Sequence, residues 1–171
     1  MRAFGDVEPL DGSHRLADFD CGSDAQTVWL RRSAMLAHSS GTSRVWVVRR
    51  RKDEGVAGFY ALATGQVMHS NVPRRVAQGT GRHPIPVIVL TRLAVDLQDQ
   101  GHGLGRALVV DALRRTAAAA DLVGIRALLI HAEDDDARSF YLRLAAFEPS
   151  PTDALHLFLL MKDLRRALTG S

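Results

Sequence analysis

The chain has 171 residues, of which 46% are hydrophobic and 24% charged, with a net charge of +3 and an isoelectric point near 9.6. These proportions are typical of a soluble globular protein, and the length predicts one domain over residues 1–171. The apolar runs are too short to span a membrane, and the opening stretch MRAFGDVEPL predicts no secretory signal. A single cysteine, Cys21, excludes an internal disulfide. Together these features predict a cytoplasmic protein without a membrane partner.

The basic residues are almost all arginines, since Lys52 and Lys162 are the only lysines among 22 basic residues. Arginine binds phosphate through a planar fork, which suits a nucleic acid or nucleotide ligand. A GC-rich coding sequence produces the same excess without any functional cause. Composition therefore leaves both explanations open.

The first half of the chain predicts a helix, a β-hairpin and a long loop. Ser23 and Gln26 have the spacing of a capping box, and the apolar residues after them predict a helix near 24–37. Two strands are predicted by SRVWVVR and VAGFYALAT, joined by the turn RRKDEG, in which Gly55 is available for a positive φ. Residues 65–83 contain turn formers and arginines with little periodicity, which predicts a long, mobile loop.

The second half alternates strands with helices. A central strand buried on both faces is predicted by the apolar run PIPVIVLTRLAV. The helix after it places Leu104, Leu108 and Ala112 on one stripe. Further along follow a strand in IRALLIHA, a short helix in DDARSFYLRL, a strand in LHLFLLM and a last helical turn or two in KDLRRAL. This order predicts a mixed α/β sheet with a right-handed crossover.

Gly101, Gly103 and Gly105 stand between the central strand and its helix. A Walker A loop is excluded because neither lysine follows a glycine. A dinucleotide fingerprint is excluded because Arg106 or Leu108 occupies the position of its last glycine. Two of the three common phosphate loops are therefore ruled out.

The third phosphate loop, Q/R-x-x-G-x-G/A, is matched in full by Gln100, Gly103 and Gly105. Free N–H groups and the positive end of the helix dipole favour a pyrophosphate at this point. Glycines let phosphates approach the backbone, and Arg106 can add a charge-assisted contact. The sequence therefore predicts an acyl-CoA site, although glycine-rich turns also occur for structural reasons alone.

Two segments resemble the GNAT (Gcn5-related N-acetyltransferase) superfamily. RLAVDLQDQGHGLGRAL is similar to its strand, pyrophosphate loop and helix, and DDDARSFYLRLAAFEPSP to its helix with a tyrosine. Within the superfamily, the chain most resembles the acetyltransferase toxins of bacterial type II toxin–antitoxin pairs, over nearly its whole length. The resemblance implies the GNAT fold, with a mixed, mostly antiparallel central sheet, a splayed strand pair and flanking helices.

The resemblance also implies where acetyl-CoA binds. Backbone groups of Leu93, Ala94 and Val95 would pair with the pantetheine arm. The residues that would hold the pyrophosphate are Gln100, Gly101, His102, Gly103, Leu104, Gly105 and Arg106.

Tyr141 matches the family tyrosine that protonates the departing CoA thiolate, although a tyrosine beside Phe140 is also compatible with core packing. Asp134 stands where the family often has an asparagine that contacts pantetheine, so a carboxylate replaces an amide in the cofactor site. The family ending Y-x-x-x-G-F is YLRLAAF in this sequence. The extra residue and the missing glycine at Ala145-Ala146 predict a different turn before Phe147.

Amide formation from a thioester needs a neutral amine, a polarised carbonyl and a proton for the sulfur. Strand N–H groups can polarise the carbonyl, and Tyr141 can donate the proton because a phenol has a pKa of about 10. His131, Glu133 and His102 are candidate bases, but none stands in a recognisable catalytic arrangement. An α-amine has a pKa of about 7.7–8.0, so a large neutral fraction exists at neutral pH without a general base. A lysine side chain, with a pKa of about 10.4, needs one. This favours aminoacyl-tRNA, the substrate class of the toxins that the chain resembles.

Arginines in two places are predicted to contact tRNA phosphates: Arg74, Arg75 and Arg82 in the long loop, and Arg92 on the central strand. A further candidate cluster lies around the first hairpin and contains Arg44, Arg49, Arg50 and Arg51. For residues 49–52 the alternative is a solvated turn.

Other partners follow from the resemblance alone, namely a cognate DNA-binding antitoxin and a second copy in a homodimer. Two further functions stay open: acetyl transfer to a small amine or a protein amine, and a non-enzymatic module that binds acyl-CoA or an antitoxin. No metal site is predicted, because the seven histidines have no metal-ligand spacing.

Overall fold

The computed structural model describes residues 2–170. Within them, the helices are α1 (Asp24–Arg32), α2 (Ala34–Ser40), α3 (Arg74–Ala77), α4 (Leu104–Ala120), α5 (Asp135–Leu144) and α6 (Met161–Thr169). The strands are β1 (Glu8–Pro9), β2 (Arg44–Arg49), β3 (Val56–Val67), β4 (Ile85–Val95), β5 (Ala127–His131), β6 (Glu148–Pro149) and β7 (His156–Leu160). Short 3-10 turns occupy His69–Asn71 and Leu97–Asp99.

The seven strands form one sheet in the order β1-β2-β3-β4-β5-β7-β6. Strand β2 is antiparallel to β1 and β3, and β7 is antiparallel to β5 and β6. Strand β4 is parallel to β5, in register from Val87–Ala127 to Leu90–Ile130, although β4 continues to Val95. The predicted mixed, mostly antiparallel sheet, with a strand pair that parts along its length, is confirmed.

The residues divide into two compact units, to both of which β3 and β4 contribute. Unit one contains residues 2–63 and 91–111, and unit two contains residues 64–90 and 112–170. The assignment of residues 1–171 to one domain stays a prediction. Within residues 2–170, no helix is both long enough and apolar enough to cross a membrane.

In unit one, the predicted helix near 24–37 is two helices. The Ser23 hydroxyl accepts a hydrogen bond from the Gln26 N–H at 3.4 Å, which confirms the predicted N-cap. Ser33 has φ −118°, and its N–H closes α1 on the Trp29 carbonyl at 2.8 Å before α2 begins. Serine is a weak helix former, because its side chain competes for backbone hydrogen bonds. The helix therefore breaks at Ser33.

The hairpin between β2 and β3 uses its glycine differently from the prediction. The positive φ, 63°, lies at Glu54, one residue earlier than expected. A Cβ at Gly55 would collide with the Arg50 guanidinium. Gly55 is therefore required because any larger residue would clash with the packed Arg50 side chain. Glu54 adopts the left-handed conformation of the turn.

In unit two, the segment predicted as a mobile loop is mostly structured. Strand β3 extends to Val67, and Val76 of α3 is buried in one cluster with Val72 and with Leu129 of β5. The Arg126 guanidinium donates to the carbonyl oxygens of Arg75, Val76 and Gln78 at 2.9–3.0 Å. Apolar burial and this one arginine fix the segment, so the prediction of a long unstructured loop is wrong for residues 65–77.

Candidate active site

The glycine loop, defined as residues 100–105, connects the turn after β4 to the start of α4. The Asp96 carboxylate caps that turn by accepting from the Gln98 N–H at 3.0 Å. Gly101 and Gly103 have φ values of 81° and 82°, a region that strains other residues. A Cβ at either glycine would meet no atom within 4 Å. Backbone conformation, rather than crowding by the protein, therefore requires these glycines, and both are exposed to a ligand.

The start of α4 leaves backbone donors without partners in the helix. The Ala107 N–H donates to the Gly103 carbonyl at 3.1 Å, which is the first turn of the helix. The N–H groups of Leu104, Gly105 and Arg106 precede that bond and have no acceptor within α4. No acidic side chain lies in this first turn. The predicted pyrophosphate residues thus lie at the positive end of a helix dipole, and Gly101, His102, Gly103 and Arg106 among them are exposed.

Gln100 has a structural role in the loop. Its Nε2 donates to the carbonyl oxygens of Cys21 at 3.1 Å and of Val95 at 2.9 Å. The His102 Nδ1 lies 3.2 Å from the Asp99 carbonyl oxygen. Gln100 therefore ties the loop to Cys21 and to the end of β4, and His102 contacts the turn before the loop.

Arg50 anchors the turn before the loop, a role that was not predicted from the sequence. Its side chain is 8% exposed, and its Nε donates to the Asp99 Oδ2 at 2.6 Å. Its Nη1 donates to Asp53 at 3.1 Å, and its Nη2 lies 3.5 Å from the Asp96 Oδ2. Burial disfavours the charge, but the hydrogen bonds that Arg50 donates to Asp99 and Asp53 outweigh it and raise the pKa of Arg50. The alternative of a solvated turn is therefore wrong at Arg50. No local pattern signals this role, because Asp96 and Asp99 are distant in sequence.

The end of β4 carries the predicted pantetheine residues. Ala94 is buried in the core of unit one, and Leu93 and Val95 are partly buried. On the same strand, Arg92 lies with its Cζ 5.3 Å from the centroid of the Trp29 ring. Its Nη1 donates to the Gln26 Oε1 at 3.4 Å. The capping-box glutamine therefore contacts an arginine of the candidate site.

Tyr141 lies buried in α5 of unit two, with 6% exposure, between the rings of Phe140 and Phe147. Burial, and to a lesser degree the charge of Glu133, raises the pKa of its phenol, so that it is protonated at neutral pH. The Asp134 carboxylate, predicted beside the cofactor, caps α5 by accepting from the Ala137 N–H at 2.8 Å.

The turn after α5 forms without the family glycine. Ala145 ends the helix in extended conformation with φ −159°, and the Phe147 N–H donates to the Ala145 carbonyl at 2.8 Å. An extended backbone suits any residue. Although the sequence departs from the family pattern at Ala145-Ala146, Phe147 is still buried against Tyr141.

The predicted tRNA arginines of unit two differ from one another. Arg74 and Arg82 are exposed. Arg75 donates to the Glu148 Oε1 at 2.7 Å and to the Asp163 Oδ2 at 2.9 Å. These hydrogen bonds raise the pKa of Arg75 and lower that of Asp163. The Arg75 guanidinium is therefore committed to ion pairs within the protein.

Among the candidate bases, His131 stacks on His156 with ring centroids 4.1 Å apart. Burial and the neighbouring His156 lower the pKa of His131, so its ring is neutral at pH 7. Glu133 is exposed. Within residues 2–170, no group of three or more His, Cys, Asp or Glu side chains is arranged to hold a metal ion.

No family model matches the sequence. The chain is 49% identical over 170 residues to a tRNA-acetylating toxin of Mycobacterium tuberculosis, and the match covers 99% of both proteins. The chain belongs to the family of tRNA-acetylating toxins. The resemblance to acetyltransferase toxins is confirmed.

Three solved structures are similar to this chain. AtaT complexed with acetyl-methionyl-tRNAfMet is 28% identical, with 95% of this chain and 97% of that one covered and a TM-score of 0.85. A tyrosine-to-phenylalanine mutant of AtaT, bound to the C-terminus of the antitoxin AtaR and acetyl-CoA, is 27% identical, with 99% and 100% covered and a TM-score of 0.83. The KacTA–DNA complex is 26% identical, with 98% and 99% covered and a TM-score of 0.81. The predicted GNAT fold is confirmed.

Proposed function

We propose that this toxin is an acetyl-CoA-dependent N-acetyltransferase that acetylates the α-amine of aminoacyl-tRNA and thereby blocks translation. The observation that carries the proposal is 49% identity to a tRNA-acetylating toxin over essentially the full length of both chains. The structure of the related AtaT with acetyl-methionyl-tRNAfMet supports the same acceptor. An aminoacyl-tRNA whose amine is acetylated cannot extend a peptide from that amine.

Acetyl-CoA binds along β4 and the glycine loop. The backbone of Leu93, Ala94 and Val95 pairs with the pantetheine arm, and the outward N–H groups between Gly101 and Arg106 bind the pyrophosphate. The exposed positive-φ glycines and the free first turn of α4 support this placement. The Asp134 side chain is already used as a cap, so its contribution to the cofactor site is the weakest of the set.

In the proposed reaction, the neutral amine attacks the thioester carbonyl carbon to give a tetrahedral intermediate. Strand N–H groups stabilise its oxyanion. The C–S bond then breaks, the thiolate takes the Tyr141 phenolic proton, and the proton from the amine replaces it. The raised pKa keeps the Tyr141 phenol protonated at neutral pH. A thiol is more acidic than this phenol, so the transfer is completed by the proton of the newly formed ammonium group, which replaces the one that Tyr141 gives. An α-amine with a pKa of about 8 or lower needs no separate base at neutral pH.

The toxin has a cognate antitoxin in this proposal. AtaT binds the C-terminus of AtaR, and KacTA binds DNA, which supports a DNA-binding antitoxin as the partner of this chain. A cytoplasmic location and a homodimer complete the proposal. Light scattering of the purified protein would give a mass near twice 18.7 kDa for a dimer.

The acceptor is tested by incubating the protein with labelled acetyl-CoA and a mixed pool of charged tRNA. We expect label on charged tRNA and none on the same pool after its amino acids have been removed. If polyamines or peptides are labelled and charged tRNA is not, the proposal is wrong.

Tyr141→Phe separates catalysis from binding. Loss of a general acid lowers transfer by about a hundredfold to ten-thousandfold, while the phenyl ring keeps its packing between Phe140 and Phe147. Tyr60→Phe is a matched control, since Tyr60 is equally buried and its hydroxyl donates to the Asp111 carboxylate in unit one. Growth arrest that persists in Tyr141→Phe with an intact fold would identify a non-enzymatic toxin.

A further inference from the structure

Arg92 is unlike the other arginines that are withdrawn from solvent. Arg49 and Arg50 each lie within 3.5 Å of carboxylates, and Arg126 donates to three carbonyls. Arg92 is partly buried, yet among the described residues no carboxylate lies within ion-pair distance of it. Its positive charge is therefore available to an anion that comes from outside the chain.

Two neighbours fix the Arg92 guanidinium. One face lies over the Trp29 indole, 5.3 Å from the ring centroid, and Nη1 reaches the Gln26 Oε1 at 3.4 Å. Trp29 is itself held by stacking on Phe59, with centroids 6.0 Å apart and planes 13° apart. A cation that lies over an indole ring is stabilised by the ring, and the side chain that carries it loses rotational freedom. The long bond to Gln26 leaves most of the guanidinium donors uncommitted.

We propose that Trp29 and Gln26 are positioning residues that hold Arg92 as a binding group for one phosphate of the acceptor RNA. This inference rests on the proposed function. A guanidinium recognises phosphate through paired N–H donors, and a fixed orientation raises affinity because less entropy is lost on binding. Arg92 directly precedes the strand residues assigned to the thioester arm. The phosphate it binds therefore belongs to the terminal nucleotides that carry the reacting amine.

The sequence placed Arg92 near the acceptor, but it linked Arg92 to neither Trp29 nor Gln26. The structure shows the same indole contacting both the core ring of Phe59 and the arginine. Trp29 therefore links a rigid core to a ligand-binding side chain, and its effect on the acceptor passes through Arg92.

A double-mutant cycle of Trp29→Leu and Arg92→Ala tests this link. We expect each single change to raise the KM for aminoacyl-tRNA by about three- to tenfold and the KM for acetyl-CoA by less than about twofold. In the Arg92→Ala background, Trp29→Leu should have no further effect on the tRNA KM. Gln26→Ala should behave like a weaker Trp29→Leu.

Trp46→Leu is the matched control. Trp46 stacks on Tyr60 in the same unit, with centroids 5.1 Å apart, so its loss perturbs a comparable aromatic pair. We expect it to lower thermal stability without changing the tRNA KM. Should Trp29→Leu fail to fold, Trp29→Phe keeps a ring with a weaker cation–π contact and is measured in its place.

Salt dependence gives a second readout. Removing one phosphate contact should reduce the slope of log affinity against log salt by about 0.7–0.9 in Arg92→Ala, while Trp29→Leu keeps the charge and the slope. The inference is overturned if the Trp29 and Arg92 effects add in full, or if Arg92→Ala raises the acetyl-CoA KM as much as the tRNA KM. If the unmodified protein does not acetylate charged tRNA at all, the proposed function fails instead.

Discussion

The glycine loop in unit one and the α3 segment in unit two were both predicted to bind phosphate. Around the glycine loop, Arg50 donates to the Asp99 carboxylate and Gln100 donates to two carbonyl oxygens, while Gly101 and Gly103 are exposed. Around α3, Arg75 and Arg126 also turn inward, but they serve to hold a short helix on the sheet. Arg50, Arg75 and Arg126 therefore stabilise the protein. The first-turn N–H groups of α4 have no acceptor within their helix, whereas α3 offers a ligand the exposed side chain of Arg74.

The partner of an arginine, rather than its place in the sequence, thus decides what it does. Arg50 and Arg75 are each paired with acidic side chains, whereas Arg92 has an aromatic ring and an amide. An arginine that is already paired with a carboxylate gains little binding free energy from a phosphate, because that ion pair must be broken first. This comparison predicts which substitutions affect stability and which affect ligand binding.

The largest effect is expected for Arg50→Met, which leaves the buried Asp99 and Asp96 carboxylates without their cation. Removing one partner from such a network costs about 3–5 kcal/mol of unfolding free energy. Arg75→Met is the matched change in unit two, and it should cost less, because the Arg75 side chain is 43% exposed and the buried Asp163 keeps Arg166 at 3.7 Å as a second cation. Urea unfolding measures both, and similar losses would contradict the distinction.

Gly103→Ala should weaken acetyl-CoA binding by about tenfold or more, because a methyl group would stand between the backbone and the pyrophosphate. Gly79→Ala controls for strain, since Gly79 has φ 77° and equally open space around its Cβ. Both variants should lose about 1–2 kcal/mol of stability from the strained backbone. Isothermal titration with acetyl-CoA tests the difference, and equal affinity in the two variants would remove the loop from the cofactor site.

Gln100→Ala should raise the KM for acetyl-CoA by about three- to tenfold, because it deletes the bonds to Cys21 and Val95 that fix the loop. The exposed Gln98 lies two residues earlier, and Gln98→Ala should leave the KM unchanged. Steady-state kinetics at saturating acceptor measures both variants. An unchanged KM in Gln100→Ala would mean that the loop keeps its shape without this side chain.

The smallest effect concerns pH. The Arg75 hydrogen bond lowers the pKa of Asp163 in the folded protein, below the ordinary value of 3.8. Its stabilisation is therefore complete above about pH 5 and is lost as the pH falls through the lowered pKa. We expect the difference in Tm between the unmodified protein and Arg75→Met to be constant from about pH 7 to pH 5 and to shrink below about pH 4. Arg74→Met, which removes an exposed arginine from the same helix, should show no such change.

Much of the fold could be predicted from apolar patterns. Helix α4, with Leu104, Leu108 and Ala112 buried on one stripe, and the buried run of β4 are confirmed. Strands β1 and β6 have two residues each, too few for any periodicity. Helix α3 was missed because it depends on burial of Val72 and Val76 and on Arg126, which is about fifty residues away.

The candidate site was predictable where it is local in sequence. Residues 100–106 and 93–95 are two short runs, and the glycine spacing identifies the first of them. Arg50 and Trp29 were missed as parts of the site because their partners, Asp99 and Arg92, lie far along the chain. Contacts brought about by sheet pairing and helix packing leave no periodic trace in one sequence.

The most direct measurement is the chemical identity of the product. Charged tRNA is incubated with acetyl-CoA and the protein, the ester bond is cleaved with mild base, and the released amino acids are analysed by mass spectrometry. The account predicts N-acetylated amino acids that are absent when Tyr141→Phe replaces the unmodified protein. Free amino acids alone, or acetyl groups that stay on the RNA after cleavage, would contradict it.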